Sequence, residues 1–213
     1  MKITDKASVD FRRERAKLKR QLKLKKARRK IFIDCGANTF KVTREYMKKL
    51  PLFEFYAFEA QPELKDEVHK VLKEMPGRKL TFLNQAVWTK NETVHFFLAT
   101  KWGPNFKGGS TLMNHHEKNS SQVDYENPIP VEAIDFSAWL MQNFSKEDFI
   151  TIKMDIEGAE YAVLEKMLED KSMDLVDEFL IEFHQKMNSD ITLERHERLI
   201  EQIRRRARLQ IWQ

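Results

Sequence analysis

Two short stretches combine residue types that suit proton transfer. Lys153-Met-Asp155 and Glu182-Phe-His184 each close an apolar run with a polar–apolar–polar triplet. Side chains alternate across a strand, so the two polar residues of each triplet share one face. If the two runs are neighbouring parallel strands in matching register, Lys153 approaches Glu182 and Asp155 approaches His184. The first pair would then be a structural ion pair, and the second would face a substrate.

His184 is the favoured candidate for a general base, because imidazole titrates near neutral pH and a neighbouring carboxylate would orient its ring. Asp155 would orient that ring or contact a substrate hydroxyl. Two alternatives stay open: Asp155 is the base while His184 packs structurally, or both bind a divalent metal that holds the substrate. Glu157 could join such a site or, like Glu160, only cap the next helix. No metal ligand is assigned at this stage.

An earlier turn suits a nucleotide-type cofactor. Residues 31–38 read Ile-Phe-Ile-Asp-Cys-Gly-Ala-Asn, which predicts a strand, a tight turn and the start of a helix. Gly36 would let the backbone approach a ligand without a Cβ in the way. A dinucleotide fingerprint needs three glycines, so a pyrophosphate fits poorly. The acid Asp34 instead suits a cofactor that carries an amino group.

A second acid follows at the spacing of a ribose ligand. Glu59 ends the apolar run 53–58, a little over twenty residues after the glycine turn. Cofactor domains built from βαβ units place a ribose-binding carboxylate at about this distance. Glu59 could therefore accept both hydrogens of a ribose diol.

Together with Ile152-Lys-Met-Asp-Ile-Glu-Gly-Ala-Glu160, these stretches resemble the FkbM family of S-adenosylmethionine-dependent methyltransferases. The resemblance covers about residues 31–184 and includes these matching stretches: Phe58-Glu59-Ala60-Gln61-Pro62, Asn84-Gln85-Ala86-Val87, Gly108-Gly109-Ser110 and Ile181-Glu182-Phe183-His184. It implies an α/β, Rossmann-like, three-layer α/β/α fold with a mostly parallel, seven-stranded sheet. It also implies methylation of an oxygen, most often a sugar hydroxyl.

The resemblance distributes the candidate residues over three roles. The cofactor S-adenosylmethionine would contact Asp34, Gly36, Ala37 and Asn38 at its methionine end, Glu59 at its ribose, and Gln85 and Ala86 at its adenine. The acceptor would contact Ser110, Glu157 and Glu182, while Lys153, Asp155 and His184 would form the catalytic group. Each of these residues could instead have a purely structural role. Asp34 could cap a helix, Glu59 could simply end its strand, and Asn84 and Gln85 could simply terminate the strand before them.

The positive charge is concentrated in an amino-terminal arm. Residues 1–30 hold 14 Lys and Arg against 3 acids, a net charge of +11, so the remaining residues carry −6 of the overall +5. We expect a helical arm over residues 1–30 and a methyltransferase domain over residues 31–213. The arm is either a solvated helix or a contact for RNA, another polyanion or a membrane surface. Two alternatives to sugar methylation follow: a polyanion methyltransferase, or a catalytically silent binding protein.

The cysteine count and hydropathy predict a cytoplasmic protein. Cys35 is the single cysteine, so no internal disulfide forms and a reducing compartment fits best. No apolar run approaches the ~20 residues of a membrane span, and no apolar segment of a signal peptide follows the basic residues.

Two further segments bear on the site. Residues 101–128 form a long polar stretch, a feature that is uncommon unless the loop is functional or disordered. It contains Gly108-Gly109-Ser110, which could form a hinged flap that carries hydroxyls to the substrate. It also contains His115-His116-Glu117, which lack a further ligand at metal-site spacing. At the carboxyl end only residues 209–213 follow the last predicted helix. The antiparallel hairpin that usually ends the family's sheet is therefore predicted to be shortened, leaving an open edge.

Overall fold

The structure is a computed structural model that describes residues 3–99, 109–114, 123–185 and 188–212, with side chains from residue 12 onward. Most of the 101–128 stretch, with His115, His116 and Glu117, lies outside these ranges. The helices are α1 Ile3–Lys26, α2 Lys41–Lys49, α3 Glu67–Glu74, α4 Phe136–Asn143, α5 Glu160–Glu169 and α6 Leu193–Arg204. The strands are β1 Lys30–Cys35, β2 Glu54–Phe58, β3 Leu80–Leu83, β4 Ala86–Trp88, β5 Glu92–Phe96, β6 Ile129–Asp135, β7 Phe149–Met154, β8 Glu178–Ile181 and β9 Arg208–Ile211.

Six strands form one parallel sheet in the order β3-β2-β1-β7-β8-β9. Its central strands β1 and β7 are buried almost throughout, as expected for apolar strands that are covered on both faces. The chain runs outward in one direction from β1 and in the other from β7. Such a switch point opens a crevice at the carboxyl ends of the two strands.

Helices cover both faces of this sheet, because successive side chains of a strand point to opposite sides. Ile31 and Ile33 pack in one core cluster with residues of α4, α5 and α6. Phe32 packs in a second cluster with residues of α2 and α3. These two clusters confirm the predicted α/β fold with three α/β/α layers.

The sheet differs from the expected one in its strands. Among the described residues it has six strands rather than seven, and Asn84 and Gln85 separate β3 from β4. The Asn84 side chain donates to the backbone oxygen of Glu59 at 2.7 Å, which ends the pairing of β3 with β2. The next strand, β4, joins a separate three-stranded sheet in the order β4-β6-β5.

The carboxyl-terminal edge is built from one strand. β9 pairs with β8 in parallel, and within the described ranges no antiparallel strand follows it. The edge strand β9 is thus parallel to β8, and the shortening of the terminal hairpin stays a prediction.

The basic arm forms helix α1, whose last turns are anchored at the amino ends of the strands. Lys23 pairs with Asp177 at 2.7 Å, and Arg28 pairs with Asp148 at 3.1 Å. These acids directly precede β8 and β7, so the anchor lies at the end of the sheet opposite the crevice. In the ranges described, no helix, α1 included, is both long and apolar enough to cross a membrane.

We predict that two truncations of the arm separate its anchor from its exposed part. Deleting residues 1–22 removes one partly exposed ion pair, Arg20 with Glu178 at 2.9 Å, and should change the melting temperature little. Deleting residues 1–29 should lower it by several degrees, because the buried carboxylate of Asp148 then loses Arg28. Thermal unfolding followed by circular dichroism measures both. Equal melting temperatures of the two truncated proteins would contradict the anchor.

Candidate active site

A pocket that is partly open to solvent lies at the carboxyl ends of the central strands. In open parallel sheets, ligands usually bind at this position. Eight of the candidate residues line it: Gly36, Asn38, Glu59, Gln85, Ala86, Ser110, Asp155 and Glu157. Five candidates are not among the lining residues: Asp34, Ala37, Lys153, Glu182 and His184. The structure therefore brings most of the candidates to one cavity and sets the others behind its wall.

The glycine turn after β1 is fixed by a close backbone approach. Gly36 has φ of +79°, and a Cβ at this position would lie 1.9 Å from the backbone oxygen of Asp155. The N–H groups of Gly36 and Ala37 both donate to the oxygen of Phe58. Glycine is thus required by the approach of the loop after β7. Contact of Gly36 with a cofactor stays a prediction.

Glu59 closes the turn from the side of β2. Its side chain is nearly buried, and its two oxygens accept hydrogen bonds from the backbone N–H groups of Asn38 at 2.7 Å and Gln61 at 2.8 Å. Burial raises the pKa of Glu59, and these two N–H groups oppose the rise. The Oδ1 atom of Asn38 is buried without a hydrogen-bond partner. Asn38 lines the pocket, and a buried acceptor of this kind normally has a donor, such as an ordered water or a ligand atom.

Asp34 lies behind the pocket in a buried ion-pair network. Its Oδ2 accepts a hydrogen bond from the Thr43 hydroxyl at 2.6 Å, and its Oδ1 lies 3.3 Å from the Lys153 ammonium. Lys153 also donates to the Gly36 oxygen at 2.8 Å and lies 3.3 Å from Asp155 Oδ2. Burial alone would lower the pKa of Lys153. The attraction of Asp34 and Asp155 outweighs this effect, so the pKa lies above its ordinary value and the ammonium stays charged. Asp34 can act on the pocket only through Lys153.

The expected pairing of Lys153 with Glu182 is wrong. The register places Lys153 beside Asp34 on one side and Leu180 on the other. Because β8 ends at Ile181, the Glu182 triplet follows the strand instead of closing it. Lys153 therefore takes both of its carboxylate partners from β1 and from the loop after β7.

The expected approach of Asp155 to His184 is confirmed, with 4.0 Å between Oδ1 and Nε2. Glu157 Oε2 lies closer to Nε2, at 3.3 Å, and Glu182 Oε1 lies at 3.9 Å. The Nδ1 atom is 2.9 Å from Glu160 Oε1. Burial lowers the pKa of His184, but these carboxylates together raise it to about 9. The imidazole is thus protonated at neutral pH when nothing else occupies the site.

Glu160 has a larger part than the helix cap inferred from the sequence. It is fully buried, and its oxygens accept hydrogen bonds from the N–H groups of Ile156 and Gly158 as well as from His184. The spacing of acids in residues 155–160 was the available signal. Sequence alone did not show that one of them turns inward to hold a histidine from another loop.

The described part of the flap contacts the same loop. The Gly109 N–H donates to Glu157 Oε1 at 3.0 Å, and the Thr111 hydroxyl donates to the backbone oxygen of Glu157 at 2.6 Å. The Ser110 hydroxyl accepts a hydrogen bond from the Ala99 N–H. Glu157 therefore joins the flap, the pocket and the histidine cluster.

A parallel sheet with strand–turn–helix motifs and a pocket at its switch point is an architecture in which nucleotide-type cofactors commonly bind. The Methyltransferase FkbM domain family matches residues 34–208, most of the chain. The chain belongs to this methyltransferase family.

Other comparisons give distant similarity. A solved structure of precorrin-6y C5,15-methyltransferase from Geobacter metallireducens GS-15 is 12% identical with a TM-score of 0.37, over 88% of this chain and 68% of that chain. A search of curated proteins gave no match.

We predict that Lys153→Met destabilises the protein by about 3–5 kcal/mol, because it leaves the buried carboxylate of Asp34 without a counter-charge. Adding Asp34→Asn should restore part of the loss. Lys166→Met is the matched control, since Lys166 pairs with two acids near the surface, and it should change stability little. Urea unfolding measures all three proteins. A Lys153→Met protein as stable as the control would contradict the ion-pair network.

Proposed function

We propose that the protein transfers the methyl group of S-adenosylmethionine to a hydroxyl oxygen, and that the acceptor is a sugar or glycan. One observation carries the proposal: the unpartnered Asn38 Oδ1 and the Glu59 carboxylate share a pocket with the Asp155 and Glu157 carboxylates. The first two suit the polar groups of the cofactor, and the other two suit a hydroxylated acceptor. Membership of the FkbM family supports the same reaction class.

The pocket residues fit the cofactor in a consistent order. Asn38 Oδ1 would accept a hydrogen bond from the methionine ammonium, beside the Gly36 turn. Glu59 uses one acceptor site on each oxygen for backbone N–H groups, and a carboxylate has about four, so it retains capacity for a ribose diol. Gln85 and Ala86 would contact the adenine. Asp34 and Ala37 would support this wall from behind.

The bound cofactor supplies an electrophilic methyl carbon: the acceptor oxygen bonds to it, its bond to sulfur breaks, and the hydroxyl proton must leave. Asp155 and Glu157 line the pocket, whereas His184 does not. We therefore assign the proton acceptor to Asp155, one of the two alternatives left open by the sequence, instead of His184. Lys153 positions Asp155 Oδ2 at 3.3 Å, and His184 positions the loop. Ser110 lines the pocket and would form part of the acceptor wall, whereas Glu182 does not line it.

The charge of the pocket favours a neutral, hydroxyl-rich acceptor. Carboxylates accept hydrogen bonds from sugar hydroxyls, and they repel phosphate groups. Asp155, Glu157 and Glu182 lie close together around His184. A glycan meets these conditions better than RNA does.

A polyanion contact of the arm is a separate proposal. Helix α1 exposes Arg13, Arg15, Lys17 and Lys19, and such a concentration of cationic side chains binds phosphates in a salt-dependent way. We propose that this contact localises the protein and does not supply the acceptor. RNA binding should therefore weaken steeply as salt rises, while methyl transfer to a glycan should not.

The first test measures cofactor binding by calorimetry. S-adenosylmethionine should bind the unmodified protein, and Glu59→Gln should weaken the affinity by about tenfold or more, as expected when hydrogen bonds to a charged group are lost. Glu63→Gln is the control, because this exposed acid lies only four residues away. Equal affinities of the two variants would refute the cofactor assignment.

The second test identifies the acceptor. Methyl transfer is assayed with pooled nucleotide sugars, oligosaccharides and RNA at two salt concentrations. We expect transfer to a hydroxylated sugar that Asp155→Asn abolishes. Transfer to RNA that is lost when residues 1–22 are deleted would instead establish the polyanion methyltransferase. Cofactor binding without transfer to any acceptor would favour the silent binding protein.

A further inference from the structure

We propose that Asp155, Glu157 and His184 form a binding site for a divalent metal ion at the inner wall of the pocket. One ligand atom from each residue lies within 4.8 Å of the other two. The His184 Nε2 atom is 3.3 Å from Glu157 Oε2 and 4.0 Å from Asp155 Oδ1. An ion between these three atoms could reach each of them at about 2.0–2.5 Å, the usual range of metal–ligand distances.

Each of these three residues keeps one atom for the ion, because a different partner holds its other polar atom. Lys153 lies 3.3 Å from Asp155 Oδ2, and the Gly109 N–H donates to Glu157 Oε1 at 3.0 Å. In metal sites, the ligand residues are characteristically oriented by hydrogen bonds to surrounding groups in this way.

The histidine is held by a carboxylate, one of the groups that commonly orient a metal-bound imidazole. Glu160 is fully buried and lies 2.9 Å from His184 Nδ1. If Nδ1 donates its hydrogen to this carboxylate, the lone pair of Nε2 points at Asp155 and Glu157. Two backbone N–H groups of the loop that carries those acids also bind Glu160. The inner carboxylate thus fixes the histidine and the acid-bearing loop together.

The local charge balance also requires a cation. Five carboxylates lie in this connected group: Asp34, Asp155, Glu157, Glu160 and Glu182. The cationic side chains among them are Lys153 and, when protonated, His184. Asp155, Glu157 and Glu182 are partly exposed, so the burial cost is moderate, and a divalent ion would add the positive charge that this group of carboxylates lacks.

The donor set indicates the kind of ion and its use. Two carboxylates and one imidazole suit a divalent transition metal such as Mn²⁺. Because Asp155 and Glu157 line the pocket, the ion's remaining positions would face the acceptor. Two neighbouring hydroxyls of a sugar could occupy them, which would orient one oxygen and lower its pKa. With the ion bound, Asp155 Oδ1 would no longer be free to accept the proton, so the ion would activate the hydroxyl in place of that carboxylate. This catalytic consequence rests on the proposed function, but the ion site itself does not.

Metal binding is tested on the full chain without cofactor or acceptor. The chelator-treated protein is titrated with Mn²⁺ and the free ion is followed by electron paramagnetic resonance. We expect one ion per chain, with affinity reduced about tenfold or more in Asp155→Asn, Glu157→Gln and His184→Gln. Thermal unfolding of each variant shows whether it is folded.

Glu182→Gln is the matched control. It removes the same charge as Glu157→Gln, 3.9 Å from the same Nε2 atom, but from a residue outside the three-ligand group. A loss as large as that of the ligand variants would show non-specific attraction by negative charge and would overturn the site, as would the absence of saturable binding to the unmodified protein.

Methyl transfer after removal and return of Mn²⁺ then tests the catalytic consequence alone. Activity that is lost with the ion and restored by it supports the role in orienting the acceptor. Undiminished activity without metal overturns that role while leaving the proposed methyl transfer intact. Failure of S-adenosylmethionine to bind in calorimetry would instead overturn the proposed function and leave the metal site standing.

Discussion

The buried ammonium of Lys153 is the interaction on which the site depends. It lies among two carboxylates and a backbone oxygen that come from β1 and from the segment after β7. A buried charge is tolerated only when its partners are correctly placed. The two strands that flank the switch point therefore meet in one arrangement, and the glycine turn and the acid loop are held together across the crevice.

A second buried charge fixes the far side of that loop. Glu160 binds two of the loop's N–H groups and a histidine that follows β8. Lys153 and Glu160 thus hold residues 155–160 from opposite ends, one through a cation and the other through an anion. The acids that reach the pocket between them have little freedom to reorient, which favours a reaction that depends on alignment.

Strand-end motifs predicted the fold and the general position of the site, because turn glycines and polar residues after apolar runs follow local rules. Glu59 and Asp155 were found in this way, and both line the pocket. Side-chain partners were harder to predict, since they depend on strand register and on where each strand ends. Lys153 was paired with the wrong acid for this reason, and Asp34 was assigned to a pocket that it does not reach.

The position of helix α1 gives the molecule a polarity. The basic residues of the arm are anchored at the amino ends of the strands, whereas the carboxylate cluster lies at their carboxyl ends. The strands between the anchor and the cluster are four to six residues long, which corresponds to roughly 13–20 Å. An anionic surface would attract one pole and repel the other. The protein would therefore settle on such a surface with its pocket turned outward, where it would receive freely diffusing acceptors and leave the surface unmodified.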